Sequence, residues 1–352
     1  MRRLAAFLSV TLALALGSCA KPPPPGTMVL TYASPYYSTH TFSRADKTWM
    51  NWIETASHGR IRIRPYWGGA LLSSSENMLE IRHDVADIGL ITPMYARSAH
   101  LQRIQPSFYS GVRSIPDQVA VYKCLAEAYP QMNGELRGLH VLAVQGGNLP
   151  HILTRDRPIR TLADLKGLRL RAQEDTANVL RAFGADPVNM SMADVYPAMA
   201  KGVIDGVVTP VDALKAMHLA DVGHYLSTLQ VPRGAYPGRA ISQRLWNRLT
   251  RQDRALFTAG EAVWEQAMNK ELAGALTEGE DYAKAEKIEI VPLPASEQAR
   301  FDRMYRVNAF RLARTLHDYG IPGDAIAERA HALIEGRGSG ANGIQCTTGT
   351  QK

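Results

Sequence analysis

The chain has 352 residues, 45% of them hydrophobic and 21% charged, with a formal net charge of +7. That supplies a real core and, by length, two domains of about 150 residues each. The basic residues are dispersed, with no Lys/Arg-rich run interleaved with aromatics, which argues against nucleic-acid binding. A mild positive charge suits anionic small molecules.

The N-terminus reads as an export address. Arg2 and Arg3 precede an apolar run over residues 4–16, too short to span a bilayer stably. Leu16-Gly17-Ser18-Cys19 then resembles a bacterial lipobox, which makes Cys19 the lipidated first mature residue and residues 1–19 the leader. Ordinary cleavage after Ala20 is the rival reading, with Ser18-Cys19-Ala20 as the small-residue site. The Pro-rich stretch within residues 20–27 reads as a stiff, extended spacer. No later segment approaches about 20 consecutive apolar residues, so the body is expected to be soluble.

Residues 28–34 alternate as a strand, and residues 39–55 carry a helical period through Phe42, Ala45, Trp49, Trp52 and Ile53. Residues 60–67 alternate again, Gly68-Gly69 turns the chain, and Ser74 or Ser75 caps a helix to about His83. A short apolar strand at 87–91 precedes a helix at 115–128. Strands at 140–145, 152–154, 168–172, 186–189 and 206–209 alternate with helices at 161–164, 176–183 and 191–200. Residues 242–287 read as one long helix crossing both lobes. A strand at 288–291 and helices at 296–319 and 321–334 follow, then a Gly/Ser/Thr-rich tail at 336–352 expected to be flexible. Strand–helix alternation predicts an α/β fold with largely parallel sheets.

Chemical signatures of enzymes are missing: no G-x-S-x-G, no P-loop, no H-E-x-x-H, and no histidine spacing suited to a metal. No cofactor is expected. Cys124 and Cys346 remain once Cys19 is assigned to the leader. They either pair, tying the tail to the first domain, or stand as a buried small residue and an exposed thiol.

Arg171 ends a short apolar strand, and a guanidinium placed there needs an anionic partner. Asp205 or Glu174 would satisfy it structurally; a ligand carboxylate would satisfy it functionally. Arg169, two residues earlier, is expected to face the surface.

Several segments occur together, in order and at matching spacing. They are Gly59-Arg60-Ile61 with Gly68-Gly69 and Glu76, Val85-Ala86-Asp87-Ile88-Gly89, and Leu162-Ala163-Asp164-Leu165-Lys166-Gly167-Leu168-Arg169-Leu170-Arg171. Phe183-Gly184-Ala185, Val195-Tyr196 and Asp205-Gly206 complete the set. Over about Val29 to Ile334 the chain resembles the DctP-type solute-binding proteins of tripartite ATP-independent periplasmic (TRAP) transporters.

The resemblance implies a periplasmic binding protein-like α/β fold: two lobes, a ligand cleft between them and a long lobe-spanning helix. Lobe I would hold residues 28–147 and 234–275, lobe II residues 148–233 and 276–335. It implies hinge closure on an organic acid and delivery to small and large permease subunits, with membrane contact through a lipid if Cys19 is modified. Arg171 would clamp the ligand carboxylate through two parallel charge-assisted bonds. His151 stands where many members have a second arginine, and Thr209 where many have asparagine. Both are candidate ligand contacts, His151 having a packed strand histidine as its alternative. Glu76 is either a cleft residue or a helix-start glutamate favoured by the dipole. Tyr36, Tyr37 and His40 lie in a loop expected at the cleft mouth. Trp67, Tyr95 and Tyr236 are further candidates, and Asp205 is expected to fix backbone.

Overall fold

The computed structural model describes residues 24–336 and 343–346. Among these, eleven strands occur: β1 (Met28–Ala33), β2 (Ile61–Tyr66), β3 (Ile88–Leu90), β4 (Leu139–Gln145), β5 (His151–Thr154), β6 (Arg169–Arg171), β7 (Asp186–Val188), β8 (Gly206–Thr209), β9 (Tyr225–Ser227), β10 (Tyr236–Ser242) and β11 (Glu289–Val291). They form a five-stranded sheet ordered β2-β1-β3-β10-β4 and a six-stranded sheet ordered β11-β9-β5-β8-β6-β7. In the first, β2-β1-β3 is parallel and β10 runs antiparallel to both neighbours. In the second, β8-β6-β7 is parallel and β5 runs antiparallel to β8 and β9. The chain therefore crosses between sheets after β4, returns before β10, and crosses again to reach β11.

Each sheet is covered by helices whose apolar stripe matches its face. The helix Thr41–Ala56 buries Ala45, Trp49 and Ile53. These join Tyr32, Ile61, Ile88, Phe257 and Trp264 in one cluster under the first sheet. One face of the second sheet packs Leu170 and Val208 against Phe301 and Tyr305; the other packs Leu153 and Val207 against Val195, Met199 and Ala283.

The segment expected as one helix over 242–287 is divided. Tyr236–Ser242 is strand β10, Gln243–Arg248 is a short helix, and Leu249 and Thr250 separate it from Arg251–Ala285. Ser242 and Thr250 each accept a hydrogen bond from the backbone N–H three residues on, which caps the two helices separately. The long helix does join the lobes. Its first half packs in the first-sheet cluster, and near its end a Cβ on Gly279 would lie 2.4 Å from the Val211 carbonyl oxygen. Only glycine permits that approach.

The proposed division assigning residues 276–335 to lobe II needs correction. The helix Ala295–Thr315 begins on the second sheet, with Phe301 and Tyr305, but Ala309, Leu312 and Ala313 lie in a first-lobe cluster. Ile326, Ala327, Ala330 and Leu333 of the helix Gly323–Glu335 pack there too, against Phe108, Tyr109, Val121 and Leu125. The apolar stripe of each helix, not its place in the chain, decides which lobe it joins. The expectation of a flexible tail also fails at residues 343–346. Ile344 is buried in that cluster, its N–H donates to Asp117 Oδ1 at 3.2 Å, and Cys346 forms a disulfide with Cys124. The leader residues 1–19, Cys19 included, and residues 20–23 of the spacer lie outside the described residues.

Candidate functional site

Open α/β sheets place ligands outside the carboxyl ends of their parallel strands, where the loops leave the sheet. Both sheets present those ends to the same space. Tyr36 follows β1, Thr92 and Tyr95 follow β3, Arg171 ends β6, and Thr209 ends β8. Tyr236 opens β10, whose reversed direction brings its first residue to that edge. These residues line one cavity between the lobes, together with Asp175, Asp212 and Arg233.

Arg171 is 3% exposed. Its Nε donates to the Met190 carbonyl at 3.0 Å and its Nη2 to the Tyr95 hydroxyl at 2.7 Å. Neither carboxylate expected to neutralise it does so. Asp205 instead holds Arg169, accepting from its Nε at 3.0 Å, its Nη2 at 2.6 Å and its backbone N–H at 2.8 Å. Glu174 pairs with Arg103 across the lobes. Among the described residues Arg171 has no ion-pair partner. Two neutral oxygens fix the fork, and the buried charge is left to the cavity.

A second guanidinium was not foreseen. Arg233, in the return crossing, reaches the cavity beside Tyr236. It lies over Gly147, where a Cβ would stand 2.4 Å from its Cζ, and its Nη1 donates to the Asn148 carbonyl at 3.2 Å. The only signal in the sequence was an arginine three residues before the candidate Tyr236. Asp175 and Asp212 were also missed. Burial raises both pKa values, Asp175 to about 6, against hydrogen bonds and the nearby Arg171 and Arg233 charges respectively. Burial likewise raises the Tyr36 hydroxyl and lowers His40 to about 3. The neutral His40 ring stacks on Tyr36 with centroids 4.2 Å apart, and its Nδ1 accepts from the Phe42 N–H.

Four expected contacts lie outside this lining. Tyr37 is 77% exposed, because the loop after β1 turns its neighbour Tyr36 inward instead. Trp67 packs on the first-sheet core, its ring 5.5 Å from that of Tyr32. Glu76 is exposed at the start of the helix Asn77–Arg82. His151 sits opposite Thr209 in the β5–β8 register, but it is outside the lining and its buried Nδ1 has no hydrogen-bond partner. Burial lowers its pKa, which favours the neutral ring. Among the described residues no cluster of three or more His, Cys, Asp or Glu is fit to hold a metal, and no helix is long and apolar enough to cross a membrane.

Two lobes, helical crossings between them and a buried unpaired arginine in the intervening cavity define a bilobal solute-binding protein. Residues 34–308 match the DctP family, described as bacterial extracellular solute-binding protein, family 7, and the chain belongs to that family.

Relatives agree. A Haemophilus influenzae protein of unassigned role is 26% identical over 235 residues, covering 62% of this chain and 68% of the relative. The 2,3-diketo-L-gulonate-binding periplasmic protein of Escherichia coli is 27% identical over 130 residues, 34% of this chain and 40% of that protein. Among solved structures, a TRAP solute-binding protein from Rhodoferax ferrireducens in complex with copurified benzoate superposes with a TM-score of 0.78. It is 22% identical, over 88% of this chain and 98% of that one. A sugar acid-binding protein from Advenella mimigardefordensis in complex with galactonate gives a TM-score of 0.74 at 13% identity, over 87% and 98% of the two chains. At such identities these structures speak for the fold.

Proposed function

We propose that this chain is an extracytoplasmic receptor that captures an organic acid between its lobes and delivers it to a TRAP-type membrane permease. The observation that carries the reading is Arg171, buried in the cavity wall with its fork oriented by Met190 and Tyr95 and no carboxylate partner among the described residues. An incoming carboxylate supplies the missing anion and accepts charge-assisted bonds. Arg233 adds positive potential from the hinge side of the same cavity. Tyr36, Tyr95 and Tyr236 supply flat walls with polar tips, which suit an acid with a ring or a hydroxylated chain. Closure of the lobes around the acid would create the surface that the permease recognises.

Membership in a transport family supports binding rather than turnover. Export of the chain is supported by the leader-like residues 1–19, and tethering through a lipid by the Leu16-Gly17-Ser18-Cys19 motif. Replacing Cys19 by Ser then releases the protein from membrane fractions.

The direct test is titration calorimetry of the purified protein against a carboxylate panel, including benzoate and galactonate. At least one acid should bind with 1:1 stoichiometry, and its amide or alcohol analogue should not. Equal binding of the uncharged analogue would remove the basis for the assignment.

A further inference from the structure

Asp175 places a carboxylate in the wall of a cleft assigned to an anion. It is 4% exposed and lies in the first turn of the helix Glu174–Ala182. Its Oδ2 accepts from the Tyr305 hydroxyl at 3.0 Å, which comes from the helix Ala295–Thr315 outside the cavity lining. Its Oδ1 is buried and has no hydrogen-bond partner. Among the described residues no lysine or arginine forms an ion pair with it. A buried carboxylate oxygen without a donor is costly, and a donor that meets it is correspondingly favoured.

Thr209 lines the same cavity, is 1% exposed, and its Oγ1 is also without a partner. A ligand that offered only a carboxylate would occupy Arg171 and leave both groups unmet. It would also bring a like charge towards Asp175.

We infer that the cleft selects acids that carry a hydrogen-bond donor beside the carboxylate: Arg171 takes the carboxylate, Asp175 accepts from the donor, and Thr209 completes its bonding. This rests on the carboxylate reading of Arg171. Two donors share the chemistry, a hydroxyl and an ammonium. The hydroxyl matches better, because it donates to Asp175 and still has a lone pair to accept from Thr209, whereas an ammonium has none. The Asp175 carboxyl, raised to about 6 by burial, remains ionised at neutral pH and so acts as an acceptor there.

The test uses matched triads of 2-hydroxy, 2-amino and 2-unsubstituted acids: lactate, alanine and propionate; mandelate, phenylglycine and phenylacetate. Each is titrated against the wild-type protein, Asp175→Ala and Thr209→Val at pH 7.5. In any triad that binds, the hydroxy acid should bind at least tenfold more tightly than the unsubstituted acid, with the amino acid weaker than the hydroxy acid. In Asp175→Ala that ratio should fall most of the way towards one, while the unsubstituted acid binds at least as tightly as it does to the wild type. Thr209→Val should reduce the ratio several-fold, which serves if the Asp175 variant does not fold.

Equal affinities within the wild-type triads, or a ratio unchanged in both variants, would overturn the inference and leave the carboxylate assignment standing. A preference for the amino acid would overturn the hydroxyl. Failure of every acid, in these triads and in the wider panel, would overturn the carboxylate reading and this inference with it.

Discussion

The Tyr95 hydroxyl accepts a 2.7 Å hydrogen bond from Arg171 Nη2, and the two residues belong to different lobes. Tyr95 follows β3 of the first sheet and Arg171 ends β6 of the second. The bond therefore orients the anion-binding fork and holds the cleft together. Tyr95→Phe should weaken binding of the best acid about tenfold, since a hydrogen bond to a charged group is worth about 1.5–3 kcal/mol. Small-angle scattering should show a more extended unliganded protein. Unchanged affinity and size would mean that the bond does neither.

Arg171→Ala should cost about 2–4 kcal/mol in binding, because it strips a desolvated carboxylate of its partner. Arg171→Lys should recover only part of this, since an ammonium keeps the charge and loses the planar fork. Calorimetry on the same acid compares the three proteins. A lysine variant equal to wild type would argue against a forked clamp.

Asp175 makes a pH-dependent contribution to stability. Its folded-state pKa, about 6, lies above the ordinary 3.8, so the contribution is present below 3.8 and is lost as pH rises through 6. Asp175→Asn removes that loss. The variant should be more stable than wild type at pH 7.5, by up to about 3 kcal/mol, and near equal at pH 3.5. Denaturant titrations at the two pH values check this. A gain of the same size at both would assign it to something other than the charge.

Beneath the first sheet, Arg239 and Asp46 form a buried ion pair, with the Arg239 Nε and Nη2 at 2.7 and 3.0 Å from the two carboxylate oxygens. Tyr32 and Trp264 donate to the same carboxylate. Arg239→Met should destabilise by about 3–5 kcal/mol by leaving Asp46 charged and buried. Replacing both members with apolar residues should cost less, which a double-mutant cycle measures.

The Cys124–Cys346 disulfide closes a sequence separation of 222 residues and ties residues 343–346 to the first lobe. Cys346→Ser should lower stability by about 2–4 kcal/mol. Non-reducing peptide mapping should recover the two cysteines in one linked fragment, and two free thiols would refute the bond.

Much was legible in the residue pattern. Alternation and helical period located most strands and the main covering helices, because they record which side of each element meets the core. The family resemblance and the strand-end position singled out Arg171. β10 escaped because Tyr-Pro-Gly-Arg-Ala-Ile-Ser contains two poor strand formers, and its bulged pairing with β4 accommodates them. His151 stands at the sequence offset from Arg171 where the family resemblance implies a ligand contact, whereas the fold leaves it outside the cavity lining.

By itself the sequence determined the class of fold, the leader-like N-terminus and an arginine in need of an anion, since each is written in local pattern or spacing. Only the tertiary structure decided which residues surround that arginine. Arg233, Asp175 and Tyr36 come from a crossing segment, a helix start and a loop far apart in the chain, and they share a cavity because two sheets turn the same edges towards each other. It also decided that Asp205 and Glu174 are taken by Arg169 and Arg103, and this leaves the Arg171 charge for a ligand.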